Sequence, residues 1–166
     1  GILTATTWYR RLTTSGGCTD TSAAVEVTVN PAIADNTATG KQTICSGSTA
    51  SSIIGSTPTG GTGTYTYSWL SSITSATAGF AAIKGSNTTI NYAPGILTAT
   101  TWYRRLTTSG GCTDTSAAVE VTVNPAIADN TATGKQTICS GSTASSIIGS
   151  TPTGGTGTYT YSWLSS

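Results

Sequence analysis

The sequence TTWYRRLTTSGGCTDTSAAVEVTVNP, residues 100–125, holds the pattern that decides the fold. Its first part, residues 100–107, is rich in aromatic and β-branched residues, which favour strands. After a glycine turn, residues 117–123 alternate valine with other residues, as a half-buried strand does. Pro125 cannot donate a hydrogen bond to a neighbouring strand, so pairing is expected to stop there. The stretch therefore predicts two paired strands that end at a boundary.

The same stretch also occurs earlier, because residues 1–72 reappear letter for letter as residues 95–166, a period of 94. A fixed period of domain length indicates a tandem array of like modules. We place the module boundaries at Pro31 and at its copy, and we expect the pattern to continue in both directions. The predicted units are the C-terminal part of a preceding module (1–30), a complete module (31–124) and the N-terminal part of the following module (125–166).

The complete module reads as a series of short strands with no helical period. Residues 57–63 contain the turn-forming residues of a loop. About seven short antiparallel strands at this spacing favour an all-β fold, an immunoglobulin-like β-sandwich repeated as tandem modules of 94 residues. Besides the two strands above, we expect strands at 42–45, 52–54, 64–69, 80–83 and 88–92.

Composition argues against several classes of function. Only 8% of the residues are charged, the net charge is +1 and histidine is absent, so nucleic acid and anionic membranes are not expected partners. No stretch is long enough and apolar enough to insert into a membrane. The chain also lacks a nucleophile elbow, a phosphate-binding loop before a helix and a paired general acid and base. We expect no enzyme activity, no cofactor and no metal.

Four cysteines occur, two in each period, and they favour disulfides formed in an oxidising compartment. Cys45 with Cys112 would close the complete module internally. The alternative joins Cys18 to Cys45 and Cys112 to Cys139, which would connect neighbouring modules. We favour the internal pair, because each module has to be stable during folding.

The aromatic residues offer either a core or a binding surface. Tyr65, Tyr67 and Trp69 alternate with polar residues along one predicted strand. Such a stripe is usually core, although flat rings also stack on the apolar faces of sugars. The candidates for facing a ligand are Tyr65, Trp69 and Trp102, and the sequence does not fix whether Trp102 or Tyr103 points inward.

An ordered set of short motifs resembles the Ig-like and PKD-like tandem repeats of very large surface proteins of Bacteroidetes. The resemblance implies a secreted or cell-surface location and a role in an adhesin or an extracellular fibre. In contrast to antibody domains, Ile54 and Arg105 occupy the two positions expected for the inter-sheet cysteines. The motifs that carry the resemblance are TICSG (43–47), GTYTYSW (63–69), INYAPG (90–95), TTWYRR (100–105), SGGCT (109–113) and VEVTV (119–123).

Glycosylation is a further expectation. Asn87 begins an Asn-Thr-Thr sequon. The resemblance also implies O-linked sugars at an Asp followed by Ser or Thr and then by a small apolar residue or Thr. Thr21 and Thr115 are candidates that meet the first two places of this pattern, because Ser follows each of them.

These observations lead to two hypotheses. The first is a non-catalytic structural repeat of an extracellular filament or adhesin stalk, whose partners are identical neighbouring modules or chains. These partners would be joined in a covalent array or by strand exchange at an edge strand such as 42–45. The alternative is an array of carbohydrate-binding modules that use exposed aromatic residues.

Overall fold

The computed structural model describes residues 1–85 and 88–166. All regular secondary structure in these residues is β, as the sequence predicts. The strands are β1 Thr7–Tyr9, β2 Leu12–Ser15, β3 Cys18–Thr21, β4 Val25–Val27, β5 Ala38–Thr39, β6 Gln42–Cys45, β7 Ser48–Ala50, β8 Ile54–Gly55, β9 Thr66–Ser72, β10 Ala81–Ala82, β11 Gly95–Leu97, β12 Thr101–Ser109, β13 Cys112–Thr115, β14 Val119–Asn124, β15 Ala132–Thr133 and β16 Ile148–Gly149.

The largest sheet is built around β12, whose alternating pattern makes one face buried and the other half-buried. Strand β9 pairs antiparallel with β12 over seven residues, from Trp102 opposite Ser72 to Thr108 opposite Thr66. The strand order is β10-β9-β12-β14-β6, and β13 also pairs with β12. This order places β6 at an edge of the sheet, as expected for residues 42–45.

One pairing differs from the expected antiparallel arrangement. Strand β6 runs parallel to β14, from Gln42 opposite Val121 to Cys45 opposite Asn124. The backbone N–H of Ser46 extends this contact by donating to the carbonyl of Asn124 at 2.8 Å. Strands joined by a tight turn must be antiparallel, whereas β6 and β14 are far apart in sequence and are free to pair in parallel.

Shorter elements form separate β pairs. Strand β7 pairs with β11, β5 pairs with β8, and Ile53 forms an isolated bridge with Tyr92. The predicted strand at 88–92 is wrong, since only Tyr92 takes part in β pairing. One reason is that the carbonyl of Thr89 accepts the indole N–H of Trp69 at 3.0 Å and so serves a side chain instead of a strand.

The hydrophobic core joins the large sheet to these shorter elements. Trp69 and Ile53 are completely buried, and Tyr92 stacks on Trp69 with ring centres 5.7 Å apart. Ile54 stands where an inter-sheet cysteine would face inward, and this expectation is wrong. Ile54 is 49% exposed, and its neighbour Ile53 is the buried residue. The backbone pairing of Ile53 with Tyr92 sets this alternation. The buried hydrophobic cluster consists of Ala50, Ile53, Trp69, Tyr103, Val119 and Val121.

Arg105 is the unusual member of this interior, because its side chain is completely buried. Its Nε donates to Asn36 Oδ1 at 2.9 Å, and its two terminal nitrogens donate to the carbonyls of Ile90 at 3.1 Å and Ser56 at 2.8 Å. The guanidinium also lies 4.9 Å from the ring centre of Tyr67. Burial lowers the pKa of Arg105 from its usual value, while the coulombic interaction with Tyr67 opposes that shift. Neutral dipoles therefore solvate a charge at the centre of the fold.

The first residues of the chain form the same strand pairing as their copies in the central module, but they are not buried. Strand β1 pairs with β4 in the same register as β12 with β14, so Thr7 faces Val27 as Thr101 faces Val121. Tyr9 nevertheless remains 49% exposed, whereas its copy Tyr103 is 3% exposed. The pairing is thus determined locally, and burial requires the strands from the rest of the module.

We expect Gly55→Ala to destabilise the central module, because a β-carbon at this position would overlap the Arg105 guanidinium and the carbonyl of Ile90. Overpacking of this kind typically costs about 1–3 kcal/mol. Gly149→Ala is the matched control, because the nearest atom to its β-carbon would be a Trp163 ring carbon at 3.8 Å. Urea unfolding measures both variants. An equal loss in the two would show that the Arg105 contact does not restrict position 55.

Stability should also fall at high pH through Tyr103. Burial raises the pKa of its hydroxyl from 10.0 to about 12, Tyr92 adds to this shift, and a hydrogen bond with Thr101 opposes it. The folded state holds this proton more tightly than the unfolded state, so the contribution is complete below pH 10 and is lost as the pH approaches 12. The loss should be about 2 kcal/mol over that interval. Tyr103→Phe should flatten the profile measured by urea unfolding, while Tyr9→Phe, at the exposed copy, should leave it unchanged.

Candidate functional site at the module junction

The structure separates the cysteines predicted to pair within the module. Cys112 lies opposite Ser109 at one end of β12, and Cys45 lies opposite Asn124, beyond the other end. The length of β12 between them is roughly 27 Å, whereas a disulfide needs Cα atoms within about 7 Å. The internal pair is therefore incompatible with this fold, and all four thiols are free.

The alternative pairs do not meet either. Cys18 lies opposite Ser15, at the end of the first hairpin that is remote from Asn30. Cys45 lies at the end of the central module that is likewise remote from Asn30. The two cysteines are thus on the outer sides of the two units that they were expected to connect. The repeat places Cys112 and Cys139 in the corresponding positions.

Residues 30 and 31, where the preceding unit meets the central one, are held by direct contacts. The Asn30 side chain donates from Nδ2 to the carbonyl of Gly110 at 2.8 Å. The backbone N–H of Gly61 donates to the carbonyl of Pro31 at 2.8 Å. The Cys112 thiol lies 3.9 Å from the carbonyl oxygen of Asn30. We call these five residues the junction clamp.

Glycine is needed in the clamp because the chains approach closely. A β-carbon on Gly110 would lie 2.5 Å from Asn30 Nδ2, and Gly110 has a positive φ of 54°. The Thr62 N–H joins the two loops by donating to Ser109 Oγ at 2.9 Å. Sequence reasoning identified 57–63 and 109–111 only as a loop and a turn. No pattern indicates that they meet, because the contact joins segments far apart in sequence.

The second junction repeats the local half of the clamp. Gly155 donates its N–H to the carbonyl of Pro125 at 2.9 Å, as Gly61 does to Pro31. The Tyr159 hydroxyl donates to the carbonyl of Gly154 at 2.8 Å, as that of Tyr65 does to Gly60. The path of the chain after each boundary proline is therefore a property of the repeated sequence.

The aromatic candidates lie in three different environments. Trp69 is in the core, as is usual for such a stripe, so its candidate role of facing a ligand is wrong. Tyr65 is half-buried and its hydroxyl is used within the loop. Trp102 is half-buried on the outer face of the large sheet, in a shallow groove beside Lys41 and Glu120. These two charged groups form an ion pair at 3.0 Å.

The remaining candidate sites are on the surface. Thr21 and Thr115 are exposed, and Asn87 lies outside the described residues. Within residues 1–85 and 88–166, there is no group of three or more Cys, Asp or Glu that could hold a metal ion. The same residues contain no helix long and apolar enough to cross a membrane.

A comparison with protein families finds a match. The family described as "Domain of unknown function (DUF8696)" matches residues 1–31 and again residues 34–125. No curated protein matches the chain.

We expect Asn30→Asp to open the first junction, because a carboxylate cannot donate to the Gly110 carbonyl and repels it. The hydrogen bond is exposed to solvent, and losing an ordinary bond of this kind costs about 0.5–1.5 kcal/mol. Hydrogen exchange at the Gly61 amide should therefore become roughly 2- to 13-fold faster. The matched control is Asn124→Asp at the copy, whose side chain makes no hydrogen bond with the described residues. An unchanged Gly61 exchange rate in the Asn30 variant would contradict the clamp.

Proposed function

The chain belongs to the DUF8696 family, and we propose that it is a structural repeat of an extracellular filament or adhesin stalk. In this proposal, Ig-like β-sandwich modules of 94 residues follow one another in a covalent array. Each module buries its own core, and the clamps fix the orientation of successive modules. The array has no catalytic role.

The arrangement of strands supports an Ig-like sandwich. Strands β9, β12 and β14 form a central antiparallel group, as strands C, F and G do in immunoglobulin domains. Strands β7 and β11 form a separate antiparallel pair, and buried Ala50 of β7 belongs to the same cluster as Trp69 and Tyr103. Two layers of strands with their apolar residues between them make up the sandwich arrangement.

The single observation that carries the proposal is the junction clamp. A spacer between freely moving domains needs a flexible linker, commonly rich in Gly and Ser. Here Pro31 follows Asn30 directly, and both residues bond to loops of the central module. A junction with no free linker transmits orientation from one module to the next, as expected in a stalk.

Surface chemistry is consistent with an extracellular location. Only 8% of the residues are charged, and many exposed positions on the strands carry threonine. Exposed Thr21 and Thr115 offer hydroxyls for O-linked sugars, which would keep such a surface soluble. The resemblance to Bacteroidetes surface repeats supports the same location. The repeated match to one family supports an array of like units.

Electron microscopy of chains in which the 94-residue repeat is continued tests the proposal. We expect straight rods whose end-to-end distance increases in proportion to the number of modules. Flexibly linked modules would instead give a distance that grows with about the square root of that number. Arrays that carry Asp at every position equivalent to Asn30 are the control and should bend at their junctions. Randomly hinged chains for the unaltered sequence would refute a rigid stalk.

A carbohydrate-binding array is favoured by one observation, the groove that Trp102 shares with Lys41 and Glu120. An aromatic ring beside a charged pair can stack on a sugar while the charges bond its hydroxyl groups. Glycan-array binding that is lost in Trp102→Ala would support this second function. Straight rods that bind no glycan would refute carbohydrate binding and support the structural function alone.

A further inference from the structure

A cysteine lies near each boundary asparagine. It belongs to the following module at the first junction and to the preceding module at the second. At the first junction, the Cys112 thiol of the following module lies 3.9 Å from the carbonyl oxygen of Asn30. At the second junction, Cys45 of the preceding module is the strand partner of Asn124. Asn30 and Asn124 are copies of one position. A junction with a complete module on both sides therefore brings the two cysteines to the same asparagine.

We propose that Cys45 of each module forms a disulfide with the cysteine of the next module that is equivalent to Cys112. This cross-link rests on the proposed array and adds a covalent bond across each clamp. It differs from the pairs expected from the sequence, because it joins the C-terminal end of one module to the N-terminal end of the next.

The distances at the two junctions bring this pair much closer together than the internal pair. Ser46 donates its N–H to the Asn124 carbonyl oxygen at 2.8 Å, so the Cα of Cys45 is at most about 5 Å from that oxygen. The Cys112 sulfur occupies a position 3.9 Å from the equivalent oxygen of Asn30. The two cysteines are then separated by at most about 9 Å from Cα to sulfur. The internal pair is separated by roughly 27 Å.

Both sets of contacts can exist at one asparagine. A carbonyl oxygen has two lone pairs, which can accept the Ser46 N–H and contact the thiol at the same time. The Asn30 side chain is directed to the Gly110 carbonyl and leaves its own backbone carbonyl available. The path after the proline is also the same at both junctions, as the bonds from Gly61 and Gly155 show.

Formation of the bond requires an oxidant, for which a small-molecule disulfide is sufficient. The thiolate of exposed Cys45 attacks one sulfur of that disulfide, forms a mixed disulfide and releases one thiol. The thiolate of the second cysteine then attacks the Cys45 sulfur and releases the second thiol. Two protein thiols are oxidised to one disulfide, and the small disulfide is reduced to two thiols.

Identical modules give identical peptides, so the test uses chains in which only two cysteines remain and the others are Ser. The test chain continues the repeat through one further unit and keeps Cys45 and the next module's equivalent of Cys112. Two control chains of the same length keep Cys45 with Cys112, or Cys112 with Cys139. Each chain is incubated at low concentration with oxidised glutathione, and its intact mass and free thiols are measured.

We expect the test chain to lose both thiols and two hydrogen atoms without retaining glutathione. The control chains should accumulate glutathione adducts, since their cysteines cannot reach each other. A test chain that retains two glutathione molecules, or controls that close equally fast, would overturn the proposal. A parallel set with Ala in place of Ser and near-ultraviolet circular dichroism ensure that every chain compared is folded.

Electron microscopy of the same test chain under reducing conditions separates this proposal from the preceding one. Straight rods without a disulfide after oxidation would refute the cross-link and leave the stalk intact. Hinged chains that also form no disulfide would refute both. If chains that are hinged under reducing conditions form the disulfide on oxidation, the cross-link is supported. The proposal that the junction is rigid without the disulfide is then refuted.

Discussion

The fold depends on the buried guanidinium of Arg105, a charge that is solvated by neutral groups. Removing such a charge from water is costly unless its donors are satisfied. Asn36, Ser56 and Ile90 supply the acceptors from three separate segments. Each segment must therefore occupy a defined position around β12, which hydrophobic contacts alone would not specify. The requirement extends to Gly55, where only a residue without a β-carbon leaves room for the guanidinium.

The same network reaches the junction. Asn36 accepts from Arg105 and donates from Nδ2 to the carbonyl of Asp114 at 3.0 Å. Ser116 accepts the backbone N–H of Arg105 through its hydroxyl at 2.9 Å. These bonds fix the strand that begins at Cys112 and, with it, the turn containing Gly110 that holds Asn30. The interior thus positions the turn that Asn30 contacts.

Local patterns in the sequence predicted the strands that alternate strongly, and the structure confirms 42–45 and the aromatic strand that contains Trp69. They failed where a distant partner decides the outcome. The parallel pairing of β6, the inward position of Ile53 and the bridge at Tyr92 all depend on long-range contacts. The two loops that meet at the boundary were predicted as loops, but their contact could not be, because it arises only when the sheet is assembled.

The exact repeat allows buried and exposed copies of the same residue to be compared within one chain. Arg11 and Trp163 have the same sequence neighbours as Arg105 and Trp69, yet they are exposed where their copies are buried. Local hydrogen bonds are shared between copies, whereas burial requires all strands of a module. This difference separates what each segment determines by itself from what the assembled module provides.

The two ends of a module are chemically different. One end presents the turn of Gly110 and Cys112, and the other presents Asn124 beside Cys45. Contacts between unlike surfaces are heterologous, and when they do not close into a ring they generate an open array. In the proposed array the chain itself passes through every such contact, so the number of repeats in the gene would set the length of the array, and its direction would follow the chain.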